Sequence, residues 1–201
     1  DDLAAGTAAP GGGSAAAYSG AAGAALVAMV ARLTIGKKKY AAAEAEMQAV
    51  LGQAERLRAE LTQGIEQDAA AFGAVMAAFK LPKDTEEQAA LRQQAIQAAT
   101  LEAARVPLAA AGKAVEVLEL ALAVVARGNL NAISDGGSAA AQARAALTAA
   151  GYNVRINLAS LADPSVGQDF LVELRRLEEW AAELEAQVRR ELSERGGFAL
   201  E

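Results

Sequence analysis

The chain of 201 residues contains no cysteine and no histidine. Without cysteine there are neither disulfides nor thiolate metal sites, a pattern that fits a reducing compartment, so the cytoplasm is the expected location. Without histidine the commonest metal ligand and the commonest general base are both missing. No metal site is expected, and any proton transfer falls to carboxylates, Lys, Tyr or the substrate itself. Basic residues are the minority: 19 Lys and Arg stand against 25 Asp and Glu, giving a net charge of −6. Nucleic acid needs a concentrated basic face, so it is not an expected partner.

Charge is also absent from residues 13–31, a run made largely of Ala and Gly. Its length would span a bilayer. Ala and Gly are only weakly apolar, and Ser14, Tyr18 and Ser19 dilute the run further. It therefore reads as a buried helix with close neighbours, and no membrane partner is expected. Asp1-Asp2-Leu3 shows no basic n-region, so no signal peptide is expected, and Leu200-Glu201 reads as a vector-derived scar. At 53% hydrophobic the chain suits one domain over 1–201, with 1–8 as lead-in and 197–201 as tail, or half of a symmetric dimer.

What is present begins with Pro10-Gly11-Gly12-Gly13-Ser14, which opens the uncharged run. A glycine run before a helix exposes bare backbone N–H groups at the positive helix end, where an anionic or electron-rich group binds. The same glycines equally suit close backbone packing. A nucleotide P-loop is excluded, because its Gly-Lys-Ser/Thr ending is missing and Lys37 lies a full helix away.

Helical periodicity dominates the rest. After Lys39 a second helix runs to about Phe79, with Met47, Leu51, Ala54, Leu57, Leu61, Ile65, Phe72, Val75 and Phe79 on one stripe. Asp68 falls on that stripe, where a carboxylate must face a cavity or be paired in a buried salt bridge. A third helix starts at Asp84 or Thr85 and runs towards Arg127, with a kink or restart expected at Pro107 and its end at Gly128. The polar loop Asn129–Ser138 follows, in which Ser134 or Asp135 is the expected cap of the next helix. Residues 152–158 alternate as a strand would. With no second strand to pair with, they are assigned to a helix in which Asn153 and Asn157 share a face. Asp163-Pro164 then caps a last amphipathic helix with Phe170, Leu174, Leu177, Ala181, Leu184, Val188 and Leu192 inward. The fold expected is an all-α, single-domain bundle of long helices, dimeric through the small-sided first helix.

The blocks Ala9–Ser14, Leu33–Tyr40, Phe79–Lys83, Asn129–Asp135 and Asn153–Leu158, in that order, resemble the cyclodeaminase/cyclohydrolase family of folate enzymes. The chain departs from the family pattern at Gly136-Gly137-Ser138, where members often read Asp-Ala-Gly-Val. The resemblance implies an all-α fold, a homodimer and a tetrahydrofolate derivative as substrate, with no further cofactor. It implies formiminotetrahydrofolate cyclodeaminase activity first and methenyltetrahydrofolate cyclohydrolase activity second. A non-catalytic helical dimer that only binds folate is the alternative of a different class.

Ring closure of the formimino group needs a base for the N10 proton, an acid for the leaving nitrogen and negative charge near the cationic product. Without histidine, carboxylates must supply these, and Asp135 and Asp68 are the catalytic candidates. Gly11, Gly12, Gly13, Ser14, Lys37, Asn131, Ser134, Arg155 and Asn157 are the folate-binding candidates. Among them the glycine amides, Lys37 and Arg155 are placed to receive the carboxylates of the p-aminobenzoyl-glutamate tail.

Overall fold

The computed structural model describes residues 2–197 and residue 199, so the proposed vector scar Leu200-Glu201 lies outside the described residues. Five long helices make up the fold: α1 (Gly12–Thr34), α2 (Glu44–Phe79), α3 (Glu86–Arg127), α4 (Ile133–Ala159) and α5 (Gln168–Gly196). Short 3₁₀ turns at Lys38–Ala43, Leu130–Ala132 and Pro164–Gly167 join them. There is no strand among the described residues, and 152–158 form the last turns of α4. The all-α expectation holds.

The central helix is α1, which packs on α2, α3 and α4. Its small side chains bring the neighbours close. A Cβ at Gly23 would stand 3.0 Å from the Ala139 carbonyl of α4. Around this contact Val27, Leu57, Leu61, Leu118, Leu147 and Val154 are fully buried. Among the described residues α1 is the one helix long and apolar enough to cross a membrane, yet 61% of its most apolar window is buried in the bundle. Its remaining face, with Tyr18, Ala25, Met29 and Leu33, is exposed.

The stripe of α2 is buried only in part. Met47, Ala54, Leu57 and Leu61 are core, whereas Phe72 and Phe79 are exposed. Ser14 in the first turn of α1 lies beside Ile65, so α2 continues about 20 Å past the start of α1 with no α1 left to cover it. Asp68 sits at that transition, partly exposed rather than core.

The chain does not restart at Pro107: α3 runs through it as one helix. Proline lacks the N–H that would bond the Ala103 carbonyl. Asn157 Nδ2 donates to that carbonyl instead, at 2.8 Å, so the polar group is satisfied from the neighbouring helix. Thr85 caps α3 by accepting from the Gln88 N–H, and Gly128 ends it.

The start of α4 also differs from expectation. Ala132 occupies the cap position without a side-chain bond, and Ser134 and Asp135 lie inside the first turn. Asn129 performs the capping one step earlier, accepting from the Asn131 N–H ahead of the 3₁₀ turn. Asp163 likewise caps the 3₁₀ turn Pro164–Gly167, and α5 follows at Gln168. The inward stripe of α5 from Leu174 to Leu192 is buried as expected, with Phe170 partly so. Trp180 donates from Nε1 to Glu119 Oε1 at 2.8 Å, tying α5 to α3.

Candidate active site at the start of the first helix

Gly11 caps α1 without any side-chain bond, leaving the first N–H groups of the helix uncapped. Against this start lies a cavity of about 330 Å³, lined by Gly11, Gly12, Gly13, Asp68, Phe72, Val75, Asn153, Ile156 and Asn157, together with Ala8, Ala9 and Ala103. That volume lies at the lower end of the range for small-molecule pockets. The exposed end of the α2 stripe thus has a use, since Phe72 and Val75 are apolar walls of the cavity. Asp68 is the one ionisable group in the lining.

Asp68 is held by the first turn of α1. The Ser14 hydroxyl lies 2.9 Å from Asp68 Oδ2 and 3.1 Å from the Ile65 carbonyl. Having one proton, it donates to one of these at a time. Asp68 Oδ1 faces Gly13, where a Cβ would stand only 2.0 Å from it. The glycine is needed because the carboxylate occupies the space of a side chain. Among the described residues Asp68 forms no salt bridge, so the buried ion pair weighed from the sequence is not what holds it.

The sequence-derived site residues fall into two groups. Gly11, Gly12, Gly13, Ser14, Asp68 and Asn157 meet at the cavity or directly behind it. Lys37, Asn131, Ser134 and Asp135 lie at the opposite end of the bundle. Lys37 follows the end of α1, about 33 Å along the helix from Gly12, and Asp135 is about 27 Å along α4 from Asn153. Within one chain Asp135 and Asp68 therefore do not share a pocket. Ser134 borders a separate cleft between α4 and α5 with Ser138, Glu185 and Arg189. Arg155 is bound to Glu178 of α5 by two hydrogen bonds of 2.9 and 2.7 Å, and these hold its guanidinium above the ordinary arginine value. It is not in the cavity lining.

The far end is organised by its own bonds. Tyr40 Oη donates to Asn129 Oδ1 at 3.4 Å and accepts from the Leu130 N–H at 2.9 Å. The Asn129 N–H donates to Thr34 Oγ1 at 2.8 Å, and its side-chain amide donates to the Leu33 carbonyl. Two of the sequence blocks are thus tied to each other, α1 turn to α3–α4 turn. Asn153 is the site residue that sequence reasoning passed over. Its spacing of four from Asn157 was visible, but nothing in the sequence showed which way that face turns.

A carboxylate, two side-chain amides and a glycine-rich helix start thus surround an apolar slot. Comparison with known proteins agrees with the resemblance of the sequence to folate enzymes. Residues 1–176 match the model of the formiminotransferase-cyclodeaminase family. The chain belongs to that family. It is 49% identical over 177 residues to the methenyltetrahydrofolate cyclohydrolase of Methylorubrum extorquens, covering 88% of this chain and 85% of that one. It is 39% identical over 158 residues to the formimidoyltransferase-cyclodeaminase of Rattus norvegicus, of which it spans 29%. The crystal structure of formiminotetrahydrofolate cyclodeaminase from Thermotoga maritima superposes with a TM-score of 0.85 at 30% identity, over 95% of this chain and 91% of that one. The chain is an enzyme of folate one-carbon metabolism, of the cyclodeaminase/cyclohydrolase type.

Proposed function

We propose that the chain is a methenyltetrahydrofolate cyclohydrolase, with formiminotetrahydrofolate cyclodeaminase as the second reading. The observation that carries this order is the 49% identity to the Methylorubrum extorquens cyclohydrolase through 88% of this chain and 85% of that one. It reverses the order that the family resemblance implied. The second reading rests on the likeness to the Thermotoga maritima cyclodeaminase.

Asp68 is the group that handles protons in either reaction. In hydrolysis, water attacks the cationic carbon between N5 and N10, and Asp68 accepts a proton from that water. The tetrahedral adduct then breaks its bond to N5. Asp68 returns the proton to N5, and the adduct's hydroxyl loses its proton to solvent as the N10-formyl carbonyl forms. The negative carboxylate also stabilises the cationic substrate. Cyclodeamination uses the same carbon with N10 as nucleophile and ammonia as leaving group, so one carboxylate serves both. Adding purified protein to methenyltetrahydrofolate and, separately, to formiminotetrahydrofolate distinguishes the readings by absorbance of the methenyl chromophore. The cyclohydrolase reading requires its accelerated loss in the first cuvette. Its appearance in the second, with no acceleration in the first, overturns that order.

The assembly that suits this site is a symmetric homodimer through the outer face of α1. Tyr18, Ala25, Met29 and Leu33 leave that face apolar and uncovered. Its two ends differ in charge: Asp2, Glu66 and Asp68 lie near the start of α1, and exposed Lys37, Lys38 and Lys39 follow its end. Antiparallel pairing sets these opposite charges against each other. It brings the partner subunit's Lys37 towards the cavity, where the glutamate tail of the substrate needs a cation.

A further inference from the structure

Asn157 owes its orientation to a proline on another helix. Pro107 has no N–H, so the Ala103 carbonyl, four residues earlier in α3, has no helical donor. Asn157 Nδ2 takes that place at 2.8 Å. One turn before it on α4, Asn153 Nδ2 donates at 2.8 Å to the Ala149 carbonyl of its own helix. A backbone carbonyl can only accept, so each amide commits one of its two N–H groups to the backbone and has its oxygen left over. Both residues line the cavity. Neither Oδ1 accepts a hydrogen bond among the described residues.

On α4 the cavity is therefore lined by two amides anchored to the backbone through one N–H each, with both oxygens available as acceptors, while Asp68 stands on α2 with the start of α1 between. We propose that Asn153 and Asn157 form an acceptor wall that binds the donor edge of the pterin, its 2-amino group and N3–H, and that Pro107 is the positioning residue for Asn157. The inference rests on the folate reading above. The donor edge lies at the end of the pterin remote from N5 and N10, so binding it to α4 directs the reacting carbon towards Asp68. An acceptor that a bound ligand covers without a donor is costly, so a ligand that lacks the 2-amino group binds more weakly.

The test measures binding of tetrahydrofolate and of its 2-desamino-2-methyl analogue by calorimetry, beside methenyltetrahydrofolate kinetics. Proteins compared are the wild type, Asn153→Leu, Asn157→Leu and Pro107→Ala. Wild type is expected to bind the analogue about 10- to 100-fold more weakly than tetrahydrofolate. Asn153→Leu and Asn157→Leu lose tetrahydrofolate affinity by a similar factor and discriminate less between the two ligands, and the loss appears in KM rather than kcat. Pro107→Ala restores the helical donor to Ala103, and KM rises about two- to tenfold as Asn157 loses its fixed partner. Equal affinity of wild type for both ligands overturns the wall, even where a variant fails to fold. Loss in kcat with affinity intact overturns it too, and an unchanged KM in Pro107→Ala removes the proline's role. If wild type binds neither ligand, the folate reading falls along with the wall.

Discussion

Gly13 shows how tightly the site is set at the level of single residues. The carboxylate of Asp68 fills the place of a Gly13 side chain, with Oδ1 2.0 Å and the carboxyl carbon 2.6 Å from where a Cβ would stand. A methyl group there must push Asp68 away from Ser14. Alanine suits a helix start as well as glycine does, and the displaced group is the end of a partly exposed side chain. Gly13→Ala is therefore expected to leave the melting temperature within a few degrees and to lower kcat at least about tenfold. Unchanged kcat in a folded variant would separate the glycine from the chemistry. Arg155 makes the opposite case. Its charge is committed to Glu178, so Arg155→Gln is expected to change KM less than about twofold, the scale of an exposed pair. A tenfold rise would return Arg155 to the tail-binding set.

At the scale of elements, helices were legible and their purposes only partly so. The small residues of α1 announced close packing, and Gly23 carries it: a Cβ would meet the Ala139 carbonyl at 3.0 Å and Val117 at 3.3 Å. Gly23→Ala is expected to cost about 1 to 3 kcal/mol in denaturant unfolding, the usual penalty of overpacking. A neutral result would mean that α1 and α4 separate freely. Asp68 could be found from sequence because it interrupts an apolar period. The direction of the stripe's last third could not, since the period is the same whether a neighbour covers it or ends, as α1 does, before Phe72. Pro107 misled for a related reason. Its local rule predicts a break, but the donor that repairs the Ala103 carbonyl comes from Asn157, fifty residues later. In the polar loop Asn129–Ser138 the sequence did not show that Asn129 ties the loop together through Leu33 and Asn131.

For the whole molecule, the proposed antiparallel homodimer accounts for the division of the family blocks between two ends of one bundle. Local spacing does not reveal that Lys37 and Asp135 lie a helix length from Asp68 within one chain, so the sequence grouped all three in one constellation. The antiparallel dimer makes a specific demand. Mixed, refolded Asp68→Asn and Lys37→Ala proteins give hybrid dimers in which one of the two sites has both native residues. Activity is expected to recover towards about a quarter of wild type, the statistical share of intact sites. No recovery above the sum of the two variants would place the site within one subunit.

In a chain without histidine, proton transfer is proposed to fall to Asp68, held by Ser14 at the start of α1. Asp68→Asn keeps the shape and the Ser14 contact while removing the base. The direct measurement is kcat for methenyltetrahydrofolate hydrolysis by this variant, with circular dichroism confirming its helices. If Asp68 moves the proton, kcat falls by about two to four decades with the fold intact. A folded Asp68→Asn enzyme with kcat near that of wild type would contradict it.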